Sequence, residues 1–323
     1  LSLIMFTVLL FGVYSAYKHF SGFDPLKLDP QAILKNILSA KTPQQFLSVL
    51  SSVKLTQELS TQLNQKILGE PEKIDKLPDV PNSKIDFKFL LIADSHSDSS
   101  NLQKAISQAK QNNPDLAFII GLGDYTNVGT VDELMEAKKV FDEAGLRYFL
   151  TLGDHDLWNA RNQKLSATTN FRKVFGPSFQ SFVFQNYRFI LLDNSDDYLG
   201  FSSLQLDWVS SEMEKSKTLG EKGIYVFLHE PLYHPSSDHF MGKTEVSLKQ
   251  QAQAMIFQLK AAGVKKVFVG DIHYFSEYEE PVTKLPMVTI GAVAIERNLQ
   301  APRYAVVSVY GDGLTRVDDI EIK

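Results

Sequence analysis

Five short apolar runs in this chain each end on a carboxylate or an imidazole. The run 87–93 (FKFLLIA) leads into Asp94, 116–123 (LAFIIGLG) into Asp124 and 148–153 (YFLTLG) into Asp154. The run 224–228 (IYVFL) leads into His229, and 267–270 (VFVG) into Asp271. Helical spacing occupies 101–111, 131–144, 203–217 and 246–262 between them. Near-continuous apolar strands that alternate with helices specify an α/β domain whose strands are buried on both faces. Further strands are expected at 182–192, 287–294 and 304–310, with Gly311-Asp312-Gly313 turning into a last strand. Open α/β sheets bind ligands beyond the carboxyl ends of their strands, where these five polar side chains fall.

The chain begins differently. Residues 1–17 (LSLIMFTVLLFGVYSAY) carry no charge, and Lys18 and His19 end the run. As a helix this stretch would span about 26 Å, just short of the hydrocarbon thickness of a bilayer. It is expected to be a transmembrane anchor, the alternative being the apolar region of a signal segment, and residues 1–20 are assigned to it. Residues 21–84 are expected to form a helical stem and linker. Thr42-Pro43-Gln44-Gln45 is a helix start, Leu55, Leu59, Leu63 and Ile67 follow at four-residue spacing, and Gly69 and Pro71 stop the helix. Residues 85–323 are then the α/β domain. The anchor places that domain at a membrane, on the extracytoplasmic side in this reading.

Composition removes several classes of function. The chain has no cysteine, which excludes a disulfide scaffold, thiolate zinc, an iron–sulfur cluster and a cysteine nucleophile. A net charge of −5 argues against a dedicated nucleic-acid binder. No G-x-S-x-G is present, so a serine hydrolase of that type is excluded. His229-Glu230-Pro231 does not have zincin spacing, and Pro231 would break the helix a zincin needs.

The strand ends read Asp94-Ser95-His96, Gly123-Asp124, Gly153-Asp154-His155-Asp156, His229 and Gly270-Asp271-Ile272-His273, so four of the seven histidines fall there. One Asp after a strand is an ordinary helix cap, but five such positions in one domain are not. In order and spacing this set resembles the calcineurin-like metallophosphoesterases, whose pattern is D-x-H, G-D, G-N-H-[DE], a lone H and G-H-x-H. The resemblance implies a four-layered α-β-β-α sandwich. It also implies two divalent metal ions (Mn, Fe, Zn or Mg, with Mn favoured). Asp94, His96 and His273 would hold the first ion, Asp124 would bridge, and Asp154, His229 and Asp271 would hold the second. His155 would face the substrate phosphate and protonate the leaving oxygen, with Asp156 orienting it. Such a pair of ions activates water for attack on phosphorus. The substrate class is a small-molecule or lipid phosphoester, cleaved as a phosphodiesterase or phosphatase. The alternative is a weakly active or inactive metal-binding module on the same fold. A metal-dependent amide or lactam hydrolase is disfavoured by the motif order. The oligomeric state is not set by these features.

Two positions depart from the family pattern, Asp154 where the family has Asn and Asp271 where it has His. Each replaces a neutral ligand by a potential anion, which lowers the charge of a site with two divalent ions from about +2 to about 0 and weakens its attraction for a phosphate dianion. Arg161, Arg297 or Lys243 are candidate partners for the extra carboxylates. His234 and His239 are expected as solvated loop residues, Trp158 and Trp208 as packing residues, and Glu277, Glu279 and Glu280 as an exposed acidic turn.

Overall fold

The computed structural model describes residues 84–298 and 300–323, so the anchor (1–20) and nearly all of the stem (21–84) lie outside the described residues. Among the described residues no helix is long and apolar enough to cross a membrane.

Two sheets face each other. The first holds β1 (Ile85–Ile92), β2 (Leu116–Gly121), β3 (Tyr148–Leu150), β10 (Arg303–Tyr310) and β11 (Thr315–Glu321), in the order β11-β10-β1-β2-β3. The second holds β4 (Gln180–Phe184), β5 (Tyr187–Leu191), β6 (Gly223–Phe227), β7 (Val264–Val269), β8 (Ser276–Glu279) and β9 (Pro286–Thr289), in the order β4-β5-β6-β7-β9-β8. Strands β1, β2 and β3 run parallel, as do β5, β6, β7 and β9. The chain returns from the second sheet to the first at β10, which pairs antiparallel with β1, so the C-terminal hairpin belongs to the same domain.

The unbroken apolar runs arise because alternate residues serve two cores. Phe87, Phe89 and Leu91 of β1 and Phe118 and Ile120 of β2 point between the sheets, where they meet Tyr187, Phe189, Tyr225, Phe227 and Phe268. Aromatic rings dominate this layer, with Phe89 stacked on Phe118 and Phe227 on Phe268. Leu90, Ile92 and Ile119 point the other way, against Leu102, Ala105 and Ile106 of α1 (Ser99–Asn112) and Leu134, Ala137 and Phe141 of α2 (Val131–Glu143). On the outer face of the second sheet, α5 (Ser203–Thr218) packs on β5 and β6, and α6 (Leu248–Ala261) packs on β7. Helix α2 starts with a capping box, in which Thr130 and Glu133 satisfy each other's backbone N–H groups. Two short helices, α3 (Trp158–Asn162) and α4 (Thr169–Val174), follow a 3₁₀ turn at His155–Leu157. The result is a mixed α/β sandwich with helices outside both sheets.

Three expectations change. The run 182–192 is a hairpin, not one strand. Gln185 and Asn186 both take left-handed φ, 50° and 67°, and form the two-residue turn whose twist matches antiparallel strands. The expected strand 287–294 ends at Thr289, because the chain beyond Gly291 crosses to the end of β1 and bonds to the backbone of Ala93 and Asp94. The acidic stretch is not one exposed turn, although Glu277 and Glu279 are exposed as expected. Glu277 and Glu279 lie in β8, and buried Glu280 accepts the Thr283 N–H and hydroxyl.

Candidate metal centre

The parallel strands end at a common edge, and the chain there bends sharply. Asp94 (φ 55°), His96 (42°), Asp124 (55°), Asp271 (68°) and His273 (62°) all adopt left-handed backbone. Such conformations are costly for residues other than glycine and concentrate at functional sites. The side chains that these turns carry converge at this edge.

Seven candidate ligands meet there. Asp94, His96, Asp124 and His273 offer ligand atoms that all lie within 4.8 Å of one another, and Asp124, Asp154 and His229 do the same. Asp124 belongs to both groups, with Oδ2 3.7 Å from His96 Nε2 and Oδ1 3.6 Å from His229 Nε2. His96 Nε2 and His273 Nε2 stand 3.2 Å apart. Asp271 lies just outside the second group, with Oδ1 3.9 Å from His229 Nε2 and Oδ2 2.8 Å from His239 Nδ1.

These side chains fit a pair of cations. His229 Nδ1 faces the Leu122 carbonyl at 2.7 Å, so Nδ1 carries the proton and the Nε2 lone pair points at Asp124, Asp154 and Asp271. A buried lone pair facing three carboxylates needs a cation or a proton between them. His229 Nε2 and Asp94 Oδ2 are fully buried and make no hydrogen bond. His273 Nδ1 likewise faces the Arg297 carbonyl at 2.8 Å, which leaves its Nε2 for the site. Imidazole and carboxylate donors of this kind suit divalent first-row transition ions.

Electrostatics carry the same message. Burial lowers the His229 imidazole, but Asp124, Asp154 and Asp271 outweigh it and raise its affinity for a proton well above the ordinary range. Burial pushes Asp94 and Asp124 up. Burial also acts on Asp154, but the His229 imidazole, with Nε2 3.6 Å from Asp154 Oδ1, holds it down at about 2. His96 is depressed to about 3 by burial and by the His155 and His273 rings. Glu230 is pushed up to about 9 by burial and by Asp271 and Asp197.

The expected pairing of Asp156 with His155 is not found. Fully buried Asp156 accepts the Asp124 and Gly153 N–H groups on Oδ2, each at 3.0 Å, and the Thr126 N–H and hydroxyl on Oδ1. It ties together the two loops that present Asp124 and Asp154. His155 instead faces the Asn127 carbonyl with Nδ1 at 2.7 Å and the Arg297 guanidinium with Nε2 at 2.9 Å, and its ring lies 3.8 Å from that of Trp158. Since Nδ1 carries the proton and Nε2 accepts from arginine, His155 is neutral here. Its affinity for a proton is lowered first by burial.

The cations named as partners for the extra carboxylates go elsewhere. Arg161 pairs with Asp196 at 2.8 Å, Lys243 with Asp238 at 3.6 Å, and Arg297 with His155. The residue that meets Asp271 is His239, which is exposed as expected but is engaged by that carboxylate. His234, by contrast, is not a solvated loop residue. It is buried, accepts the Ser236 and Ser237 N–H groups, and contacts the Tyr274 and Tyr278 rings. Asn127, Thr126, His239 and Arg297 carry no motif, and only the folded loops bring them to the site.

Comparison with known proteins agrees with this architecture. No curated protein matches the chain. The chain is similar to GAP50, the anchor in the inner membrane complex of Plasmodium, at 14% identity and a TM-score of 0.51, over 74% of this chain and 86% of that one. It is also similar to the purple acid phosphatase PPD1 of yellow lupin (Lupinus luteus), at 9% identity and a TM-score of 0.54, over 74% of this chain and 52% of that one. At these identities the likeness is one of fold. The sequence model of the calcineurin-like phosphoesterases matches residues 87–275, more than half of the chain, with the strand-end ligand clusters inside that span. The chain therefore belongs to the calcineurin-like phosphoesterase family of metal-dependent phosphoester hydrolases.

Proposed function

We propose that residues 85–323 form a phosphodiesterase domain with a dinuclear metal site. Asp94, His96 and His273 hold one ion, Asp154, His229 and Asp271 hold the other, and Asp124 serves both. The observation that carries this reading is the sharing of Asp124 between two adjacent ligand groups. Two divalent ions, when bound, supply Lewis-acid activation of water and neutralise the phosphoryl oxygens. The protein contributes the rest. The His155 N–H fixes Asp124 Oδ1 at 3.0 Å, and Asp156 fixes the loops beneath it. The Arg297 guanidinium stands at the exposed side of the site, where it binds and orients a phosphate oxygen. Once Arg297 turns to substrate, His155 Nε2 is free to hold a proton for the leaving oxygen.

Carboxylates crowd this site. Besides Asp94, Asp124, Asp154 and Asp271, the carboxyls of Asp197 and Glu230 crowd the site, and burial first, then neighbouring carboxylates that include Asp271, raise the affinity of both for a proton. A substrate with one negative charge meets less repulsion than a dianion, so diesters are favoured over monoesters. The test is to strip the protein of metal, reload it with Mn, and compare bis(p-nitrophenyl) phosphate with p-nitrophenyl phosphate. Diester turnover should exceed monoester turnover, and Asp124→Ala should abolish both. Equal or faster monoester cleavage contradicts the substrate preference. The apolar run at 1–17 supports a membrane anchor, with the domain extracytoplasmic and acting on a lipid or small-molecule phosphoester. Flotation of the full chain with phosphatidylcholine vesicles tests the anchoring.

A second reading is a weakly active or inactive anchor or interaction module. It draws on the fold likeness to GAP50 and on the place of Asp271 outside the tighter ligand group. Binding of two ions without turnover of either ester favours it.

A further inference from the structure

Ligand side chains at this site are braced from behind by a group that is not itself a ligand. The Leu122 carbonyl braces His229 at 2.7 Å, and the Arg297 carbonyl braces His273 at 2.8 Å. Asp271 is braced as well, but by a side chain. Its Oδ2 lies 2.8 Å from His239 Nδ1, while its Oδ1 faces His229 Nε2 at 3.9 Å. The Asp271 side chain is nearly buried (8% exposed) and that of His239 is half exposed (52%), so the imidazole lies over the carboxylate from the solvent side.

The loop that carries His239 is built to keep it there. Met241, fully buried, donates its N–H to the Pro231 carbonyl at 2.8 Å. The Ser237 N–H donates to His234 Nδ1 at 2.9 Å, and the His239 N–H donates to Ser237 Oγ at 3.0 Å. The backbone of Asp271 is held too, since its N–H donates to Asp94 Oδ1 at 3.2 Å. With the backbone fixed on one side and Oδ2 engaged on the other, only Oδ1 is presented to the ligand group.

We propose that His239 is a positioning residue for the second cation site, holding Asp271 as a one-oxygen ligand and so setting both the affinity of that site and its preference for a transition ion over Ca²⁺. Nδ1–H donates to Oδ2, which leaves that oxygen poorly available to a metal. Calcium gathers six to eight oxygens and often takes both from one carboxylate, whereas Mn and Zn accept one. A bracing partner of this kind typically contributes about 10- to 100-fold in metal affinity. This inference rests on the dinuclear reading above, and its test separates the two.

The experiment is calorimetric titration of Mn²⁺, and separately of Ca²⁺, into the metal-stripped full chain, with electron paramagnetic resonance to count bound Mn. Wild type, His239→Ala and His239→Asn are compared, and circular dichroism checks the fold of each. In wild type, two Mn²⁺ ions should bind. In His239→Ala the first should bind as before and the second about 10-fold more weakly, with the Mn²⁺ preference over Ca²⁺ reduced. The Asn side chain, which can place an N–H near Oδ2, should recover part of the loss. Two Mn²⁺ ions bound with unchanged affinities in both variants would overturn the role of His239 and leave the dinuclear site standing. Fewer than two ions in wild type would overturn the dinuclear reading itself, and this inference with it.

Discussion

Asp156 and Asp124 are joined through the backbone, the Asp124 N–H donating to Asp156 Oδ2 at 3.0 Å, and Gly153 donates to the same oxygen at the same distance. Asp156 therefore acts on the site through the loops, not through His155. In Asp156→Asn one carboxyl oxygen becomes an NH₂. Either the two N–H groups on Oδ2 or the Thr126 N–H and hydroxyl on Oδ1 then lose their acceptor in a fully buried place. Each unpaired buried group costs about 1–3 kcal/mol, so for two groups a loss of roughly 2–6 kcal/mol is expected. Urea unfolding of the two proteins measures it. A change below 1 kcal/mol would show that the bonds to Asp156 are dispensable.

Gly153 faces Asp124 so closely that a Cβ there would meet its Oδ1 and backbone N. Because Asp124 is common to both ligand groups, Gly153→Ala should weaken both ions together, by at least ~10-fold each. Stoichiometry by calorimetry reads the outcome. Loss of one ion alone would mean that the two groups do not depend on Asp124 equally.

The strand ends were legible because the chemistry and the fold share a position there. A buried parallel strand must be apolar along its length, so the first polar residue marks both the strand's end and the site's edge. Gly123-Asp124 illustrates this, since Gly123 takes φ 97° and a Cβ there would lie 2.6 Å from His229 Nδ1. The left-handed turns at Asp94, His96 and Asp271 were not legible, because aspartate and histidine also occupy ordinary backbone. The partners that Arg297 and His239 take were not legible for another reason, although Arg297 was expected near the extra carboxylates. Each of these two residues sits on a loop whose path is set by distant contacts, such as Met241 on Pro231 and Asn298 on the Ala292 and Ala294 carbonyls. The role expected of Asp156 was misplaced because neighbours in sequence need not be neighbours in space. In the 3₁₀ turn at His155–Leu157, Asp156 points under the loops while His155 points out to Arg297.

Metal removal should make stability depend on pH in a definite direction. His229 binds its proton more tightly in the folded chain than at its ordinary value of 6.5, so its contribution is complete below pH 6.5 and is lost as pH rises through the folded value. Asp124 is raised well above 3.8 by burial, so the folded state again holds a proton that the unfolded state has released, and stability falls as pH climbs. His96, depressed to about 3, works in the opposite sense only below pH 6.5, since above that it is neutral in both states. The melting temperature of EDTA-treated protein should therefore decline from pH 6.5 to 8.5. Bound divalent ions replace the protons and remove the dependence. The gap between Mn-loaded and stripped protein should widen over that range. A gap that stays constant or narrows would contradict this electrostatic account.

Arg297 offers a separation of side chain from backbone. Its carbonyl braces His273 and its guanidinium meets His155 Nε2, so Arg297→Ala removes the cation while leaving the carbonyl in place. The side chain is exposed and reaches the face on which substrate would arrive. Loss of a charge-assisted hydrogen bond to a phosphoryl oxygen is worth about 1.5–3 kcal/mol, which predicts roughly a 10- to 100-fold fall in kcat/KM for a diester. Mn affinity should not change. Most of the fall should lie in KM if the guanidinium binds ground state and transition state alike, and in kcat if it engages only as charge develops. The His155 imidazole should also become easier to protonate, because the Arg297 charge is among the influences that lower it. The rate limb that reports His155 should then move to higher pH. Unchanged kcat/KM, or a loss that tracks weakened Mn binding, would assign Arg297 to the scaffold of His273 and leave another group to hold the phosphate.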